Sequence, residues 1–152
     1  MADGCFNISK GKIKYYTELP ATNDALIIVL LKSAGLEADA TLADHDNLSV
    51  LLAATNDEAD ATNYVRKSLT TATNTVDDTN NWLDVDITDQ VWTNLGGATN
   101  NTLGKLLVCY DPDTTVGTDT TVVPLTYHDF AVTSDGSSVT AEIASLGFFR
   151  AA

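Results

Sequence analysis

The chain has 152 residues, 44% of them hydrophobic, which is enough for one domain with a real core but hardly for two. Its formal net charge is −13, from 21 acids against 8 bases. That balance argues against wrapping nucleic acid and against an anionic membrane surface, both of which are gripped by Lys and Arg.

The chain opens with MADGCFNISKGKIKYY, which has no continuous apolar stretch of the kind a secretory signal needs. Lys10, Lys12 and Lys14 alternate with Gly11, Ile13 and Tyr15, and at period two the lysines share one face. Residues 1–20 are therefore expected to form an N-terminal arm or edge strand, and residues 21–152 the β domain. The row of lysines would either guard the edge against unwanted pairing or reach an acidic partner.

Next comes ALIIVLL, residues 25–31, apolar on both faces and rich in β-branched side chains. It predicts a buried strand, and it is too short to cross a bilayer. Gly35 ends that element. One short helix is expected over residues 46–54, capped by Asp44 or Asp46, with Leu48, Leu51 and Leu52 as its apolar stripe. From Tyr64 the pattern turns to β. The run VRKSLTTATNTV, a polar DDTNN turn and WLDVDI predict a hairpin with Leu83, Val85 and Ile87 facing inward. KLLVCY at 105–110 reads as a central strand, and TVVPLTYHDFAV as another, with Pro124 at an edge or a bulge. In the last stretch, SSVTAEIASLGFF, Val139, Ala141 and Ile143 alternate inward. Together these elements predict a mainly β, single-domain antiparallel sandwich or jelly-roll-like barrel with one short helix. Abundant Thr and Asn and few strong helix formers point the same way.

Chemistry is harder to find. Asp111, Asp113, Thr115 and Asp119 alternate around Gly117, which raises the question of a Ca²⁺ loop. Counted from Asp111, the sixth position is Val116 and the twelfth Val122, where an EF-hand loop needs Gly and a bidentate Glu. A long hairpin loop is the better reading. His45 lies between Asp44 and Asp46, and His128 between Tyr127 and Asp129. Neighbours on a strand point to opposite faces, so both histidines read as structural. Asp84 and Asp86 share a face, as a glycosidase pair or any solvated strand would, and Asp77 and Asp78 suit a turn. Cys5 and Cys109 have no metal-binding spacing and are expected to be reduced thiols. No cofactor, metal ligand or catalytic residue is assigned, and an enzyme is not expected.

Three phrases carry a resemblance. N-Y-x-R-K at Asn63–Lys67, C-Y-D-P-D-T-T at Cys109–Thr115 and P-L-T-Y-H-D-F at Pro124–Phe130 lie within residues 23–150, which look like the tailed-bacteriophage capsid cement or decoration proteins. Members of that family are small structural proteins usually encoded near the major capsid protein. The resemblance implies a virion protein on the outer surface of the capsid, with the major capsid protein as partner. It also implies a homo-trimer on threefold axes, with a dimer on twofold axes as the alternative. A head-fibre or tail-associated module binding a host-surface glycan is the other reading, and a hydrolase using Asp84, Asp86 or Asp129 a third. Candidate contact residues are Lys10, Lys12 and Lys14 of the arm, and the aromatics Trp82, Trp92, Phe148 and Phe149.

Overall fold

An unbroken apolar strand has no face to turn toward water, so Ala25–Leu31 must be covered on both sides. The computed structural model, which describes residues 3–152, shows how. Strand β2 (Ala25–Lys32) pairs antiparallel with β7 (Leu103–Asp111) from Ala25↔Asp111 to Lys32↔Leu103. Around this pair lies a five-stranded sheet in the order β1-β8-β7-β2-β3, where β1 is Gly4–Cys5, β3 is Lys67–Leu69 and β8 is Val123–Asp129. Two smaller sheets complete the protein. One orders as β10-β5-β4, from Phe149–Ala151, Trp82–Asp86 and Thr73–Asp77; the other pairs β6 (Gln90–Trp92) with β9 (Val139–Ala141). The result is a mainly β, antiparallel, sandwich-like fold.

The alternation of β2 sorts its side chains into two cores. Leu26, Ile28 and Leu30 meet Leu106, Val108, Trp92, Leu95 and Ile87 on the side of the small sheets. Ala25, Ile27, Val29 and Leu31 meet Phe6, Leu42, Leu48, Leu51 and Val122 on the other side. Each large side chain so buried contributes about 1.5–3 kcal/mol. The second cover is made by α2 (Asp39–Leu42), α3 (Leu48–Ala53) and the N-terminal segment.

Three short helices replace the one expected. The third, α1, is Ile13–Thr17, and it lies where alternating lysines predicted a strand. A single 3-10 turn over Asn7–Ser9 and Gly11 at φ +77° bend the chain first, and a left-handed glycine cannot continue a strand. The same twenty-residue segment is packed on the main sheet. Gly4 and Cys5 pair with Tyr127 and Thr126, and Phe6 is buried edge-on to the Tyr127 ring. Residues 1 and 2 of the arm lie outside the described residues.

Helix α3 is capped neither by Asp44 nor by Asp46. Asn47 is the cap, its Oδ1 accepting the Val50 N–H at 2.9 Å, while Asp44 accepts the Asn7 side-chain amide. The expected long strand after Tyr64 is two strands, β3 joining the main sheet and β4 a small one, with residues 70–72 crossing between them. Of the three hairpin residues expected to face inward, Val85 and Ile87 are buried and Leu83 is half-buried. Pro124 sits where the β7–β8 register shifts, so the ladder does not need its missing N–H. The chain's end depends on Gly147, at φ +86°, where a Cβ would lie 2.0 Å from the Val85 carbonyl oxygen.

Trp92 is 1% exposed and its indole N–H donates to the Val65 carbonyl at 2.9 Å. It is a core residue, not a contact for a partner. Trp92→Ala should therefore destabilise the fold by about 3–5 kcal/mol in denaturant titration, much more than Trp82→Ala does.

Candidate interaction surface

In a chain with 21 acids, the position of each of the 8 bases decides what its surface can bind. Most are used internally. Arg66 forks between two carboxylates, donating to both Glu58 oxygens at 2.8 and 2.6 Å and to both Asp119 oxygens at 2.6 and 2.9 Å. Hydrogen bonds to Glu58 and then Asp119 hold its pKa above the ordinary arginine value. Glu58 also accepts from the Tyr64 hydroxyl at 2.8 Å, and that hydroxyl accepts the Leu30 N–H at 3.1 Å. Burial first, then the Glu58 charge, raises the Tyr64 pKa and keeps it a donor. Tyr64 and Arg66 are two residues apart, so an extended chain turns both toward Glu58.

Lys105 is buried at the centre of the main sheet, with its Nζ 2.7 Å from Asp129 Oδ1 and 2.9 Å from Asp39 Oδ1. Burial opposes the charge, but the bonds to Asp129 and Asp39 outweigh it and raise the pKa. The ammonium also stands 4.9 Å over the Tyr127 ring. Lys32 lies 3.8 Å from Asp57 and 3.4 Å from Asp60. Arg150, on β10, grips Asp84 on β5 at 2.5 and 2.7 Å and stacks 3.8 Å over the Trp82 ring. Asp84 is thus committed to an ion pair rather than paired with Asp86. Of the seven carboxylates that hold these four bases, the sequence motifs raised Asp84, Asp119 and Asp129 for other chemistry and did not mark Asp39, Asp57, Glu58 or Asp60. The usable signal was scarcity, since Arg66 and Arg150 are the only arginines in an acidic chain.

The loop after β7 is built from its own side chains. Asp111 Oδ1 accepts the Asp113 N–H, and Asp113 Oδ1 accepts both the N–H and the hydroxyl of Thr115. With Asp119 on Arg66, the aspartates close turns and ion pairs instead of converging. Among the described residues no three His, Cys, Asp or Glu side chains gather as a metal site. His45 Nε2 lies 2.6 Å from Glu37, which Asn56 also bonds; His45 and then Asn56 hold the Glu37 carboxyl below the usual range. His128 Nε2 lies 2.9 Å from the Thr126 hydroxyl, while Asp129 faces Lys105 on the other side. A cavity of about 260 Å³ beside His128 is floored by Leu106 and Val108 and walled by Phe130, Ile143 and Phe148.

The proposed contact residues fall in separate places: the lysines on the N-terminal segment, Trp92 in the core, and Trp82, Phe148 and Phe149 on or next to the β10–β5 pair. Trp82 is half-buried beneath Arg150. Phe148 is half-buried, edge-on to the His128 ring, and Phe149 is half-buried in β10 opposite Val85. Lys10, Lys12 and Lys14 are all exposed. Lys10 donates to Asn7 at 2.6 Å, and Lys14 lies 3.6 Å from Glu18 in an exposed pair of little energetic weight. The surface therefore presents one lysine-rich turn on an otherwise acidic molecule.

No family model, curated protein or solved structure matches the chain.

Tyr64→Phe strands both the Leu30 N–H and a Glu58 lone pair, and should cost about 1–3 kcal/mol in denaturant titration. The Asp84 carboxyl, held below its usual range by Arg150, stabilises the fold fully above its unfolded pKa of about 3.9 and loses that contribution as pH falls through the folded value. Arg150→Ala should accordingly flatten this acid limb of the stability–pH curve, as followed by thermal unfolding from neutral pH downward.

Proposed function

We propose that the chain is a structural virion protein that decorates a tailed-phage head, binding on the outside across neighbouring major capsid protein subunits. The resemblance of residues 23–150 to the cement and decoration proteins motivates it. The observation that carries it is the internal use of the charged groups: Arg66, Lys105 and Arg150 each tie together elements distant in the chain. Loops fixed in this way meet a partner already ordered, which lowers the entropic cost of each contact. Thr- and Asn-rich loops offer hydrogen bonds without large apolar area. Such contacts are weak singly, but repeated over a lattice they add by multivalency and need no tight individual site.

The test is binding of the purified chain to heads that lack it, with copies counted against the major capsid protein. A fixed stoichiometric ratio over the whole shell is expected. A few copies confined to a vertex or to the tail would assign the chain to a fibre, and no binding would overturn the reading.

A further inference from the structure

Core side chains and surface carboxylates meet in the cavity beside His128. Its floor, Leu106 and Val108, belongs to the core, at 4% and 0% exposed. Its walls are fixed by backbone bonds. The Ile143 N–H donates to Asp89 at 2.7 Å, the Gly147 N–H to the Ala144 carbonyl at 2.7 Å and the Phe148 N–H to the Val85 carbonyl at 2.9 Å. Phe130 packs on the Trp92 ring, and Phe148 stands edge-on to His128. The recess is thus formed before any ligand arrives. Its volume of about 260 Å³ falls below the roughly 300–1,000 Å³ of sites for drug-sized molecules and suits a single long side chain.

The mouth is acidic. Asp3, Asp129 and Glu142 also line the cavity, and all three are exposed. Asp129 is shared with Lys105, and Asp3 accepts the Asp129 N–H at 2.8 Å and lies 3.4 Å from His128 Nδ1. Glu142 has no ion pair or side-chain hydrogen bond among the described residues. Arg150, at an adjoining recess, is already held by Asp84. Negative charge therefore remains at the opening. We propose that this recess receives one arginine or lysine side chain of a partner polypeptide. Its apolar stem would lie between the aromatic walls and its cation among the carboxylates. An aliphatic side chain would fill the same walls and leave the carboxylates unused, and an acidic one would be repelled. Leu146 supports a polypeptide over a free amine: it is 58% exposed between the lining residues Ala144 and Gly147, where the flanking residues of such a segment would cover it. A net charge of −13 favours a basic partner at every approach. Naming the major capsid protein as that partner rests on the decoration reading, whereas the chemistry of the recess does not.

Amide NMR of the full chain alone tests this without any head, so its outcome is separate from head binding. The probes are acetylated, amidated Gly-Xaa-Gly peptides in which Xaa is arginine, lysine, norleucine or glutamate. The arginine and lysine peptides should give saturable shifts at Ile143 and Phe148 by about 50 mM, as the affinity of one side chain allows. The norleucine peptide should bind about tenfold more weakly or worse, the glutamate peptide should not bind, and added salt should weaken the basic peptides. Butylguanidinium, which lacks the backbone that Leu146 meets, should bind severalfold more weakly than the arginine peptide. Glu142→Lys should abolish the shifts, and Ala144→Trp should do so by crowding the mouth, both with an unchanged circular dichroism spectrum. Absent shifts in the wild type, norleucine or butylguanidinium binding as tightly as the arginine peptide, or binding that survives both substitutions would each overturn the proposal.

Discussion

Strands β2 and β7 are paired with each other and buried on both faces, and every other element follows from having to cover them. A strand of Leu, Ile and Val with one face in water would lose about 25 cal/mol for each Å² of apolar surface left exposed. The covers come from distant parts of the sequence. The helices and Phe6 close one side, while Trp92, Leu95 and Ile87 close the other. The outer edge of β2 must also be satisfied, because its N–H and carbonyl groups are out of reach of water. β3 pairs with Leu26–Ile28, and then the Tyr64 hydroxyl takes the Leu30 N–H, the Leu30 carbonyl accepts from Ala59, and Lys32 donates to Asp57. A side chain thus completes a ladder that the backbone leaves short.

The electrostatics grow from the same requirement. Lys105 occupies a buried position of β7 where the pattern of the sheet would place an aliphatic residue. A lone ammonium there would cost several kcal/mol, so Asp129 across the strand pair and Asp39 at the start of α2 hold it as an ion pair. That arrangement fixes α2 over the sheet in one position, which apolar packing alone would leave less sharply defined. Arg66 does the same for the loop after β7, and Arg150 for the final strand.

The sequence shows β2, β7 and the β4–β5 hairpin clearly, because a doubly buried strand and an alternating one leave distinct periodicities. It shows α3 nearly as well, through Leu48 and Leu51. What it hides is partner choice. Lys67–Leu69 and Thr73–Asp77 lie in one run that reads as a single strand, yet one joins the main sheet and the other a small one. Nothing in their local pattern names the partner, since that is set by register with residues far away. The lysines of residues 10–14 mislead for a different reason: alternation of charge resembles a strand, but it is indifferent to backbone shape, and Gly11 decides the shape. Trp92 misleads because an aromatic beside polar residues reads as surface until its indole N–H is seen bonded to Val65. The ion-pair partners could be counted from composition but not assigned, because Glu58 and Asp119 meet Arg66 only after the chain has folded.

The loop at residues 112–122 shows how these constraints join. Its aspartates stand at the spacing of cation ligands, yet the fold needs them elsewhere. α3 begins with unsatisfied N–H groups facing this loop, and the carbonyls of Val122 and Asp119 accept from Leu48 and Ser49 at 2.9 and 3.1 Å. Val122 is at the same time buried against the helix-side core. Swinging the carboxylates inward around an ion would release Asp119 from Arg66 and pull its carbonyl away from the helix, opening the cover over β2 and β7. The loop is therefore part of the helix-side layer. Its polar outer surface, with Thr114, Thr115 and Val116 exposed, is held still by the same bonds that close the core.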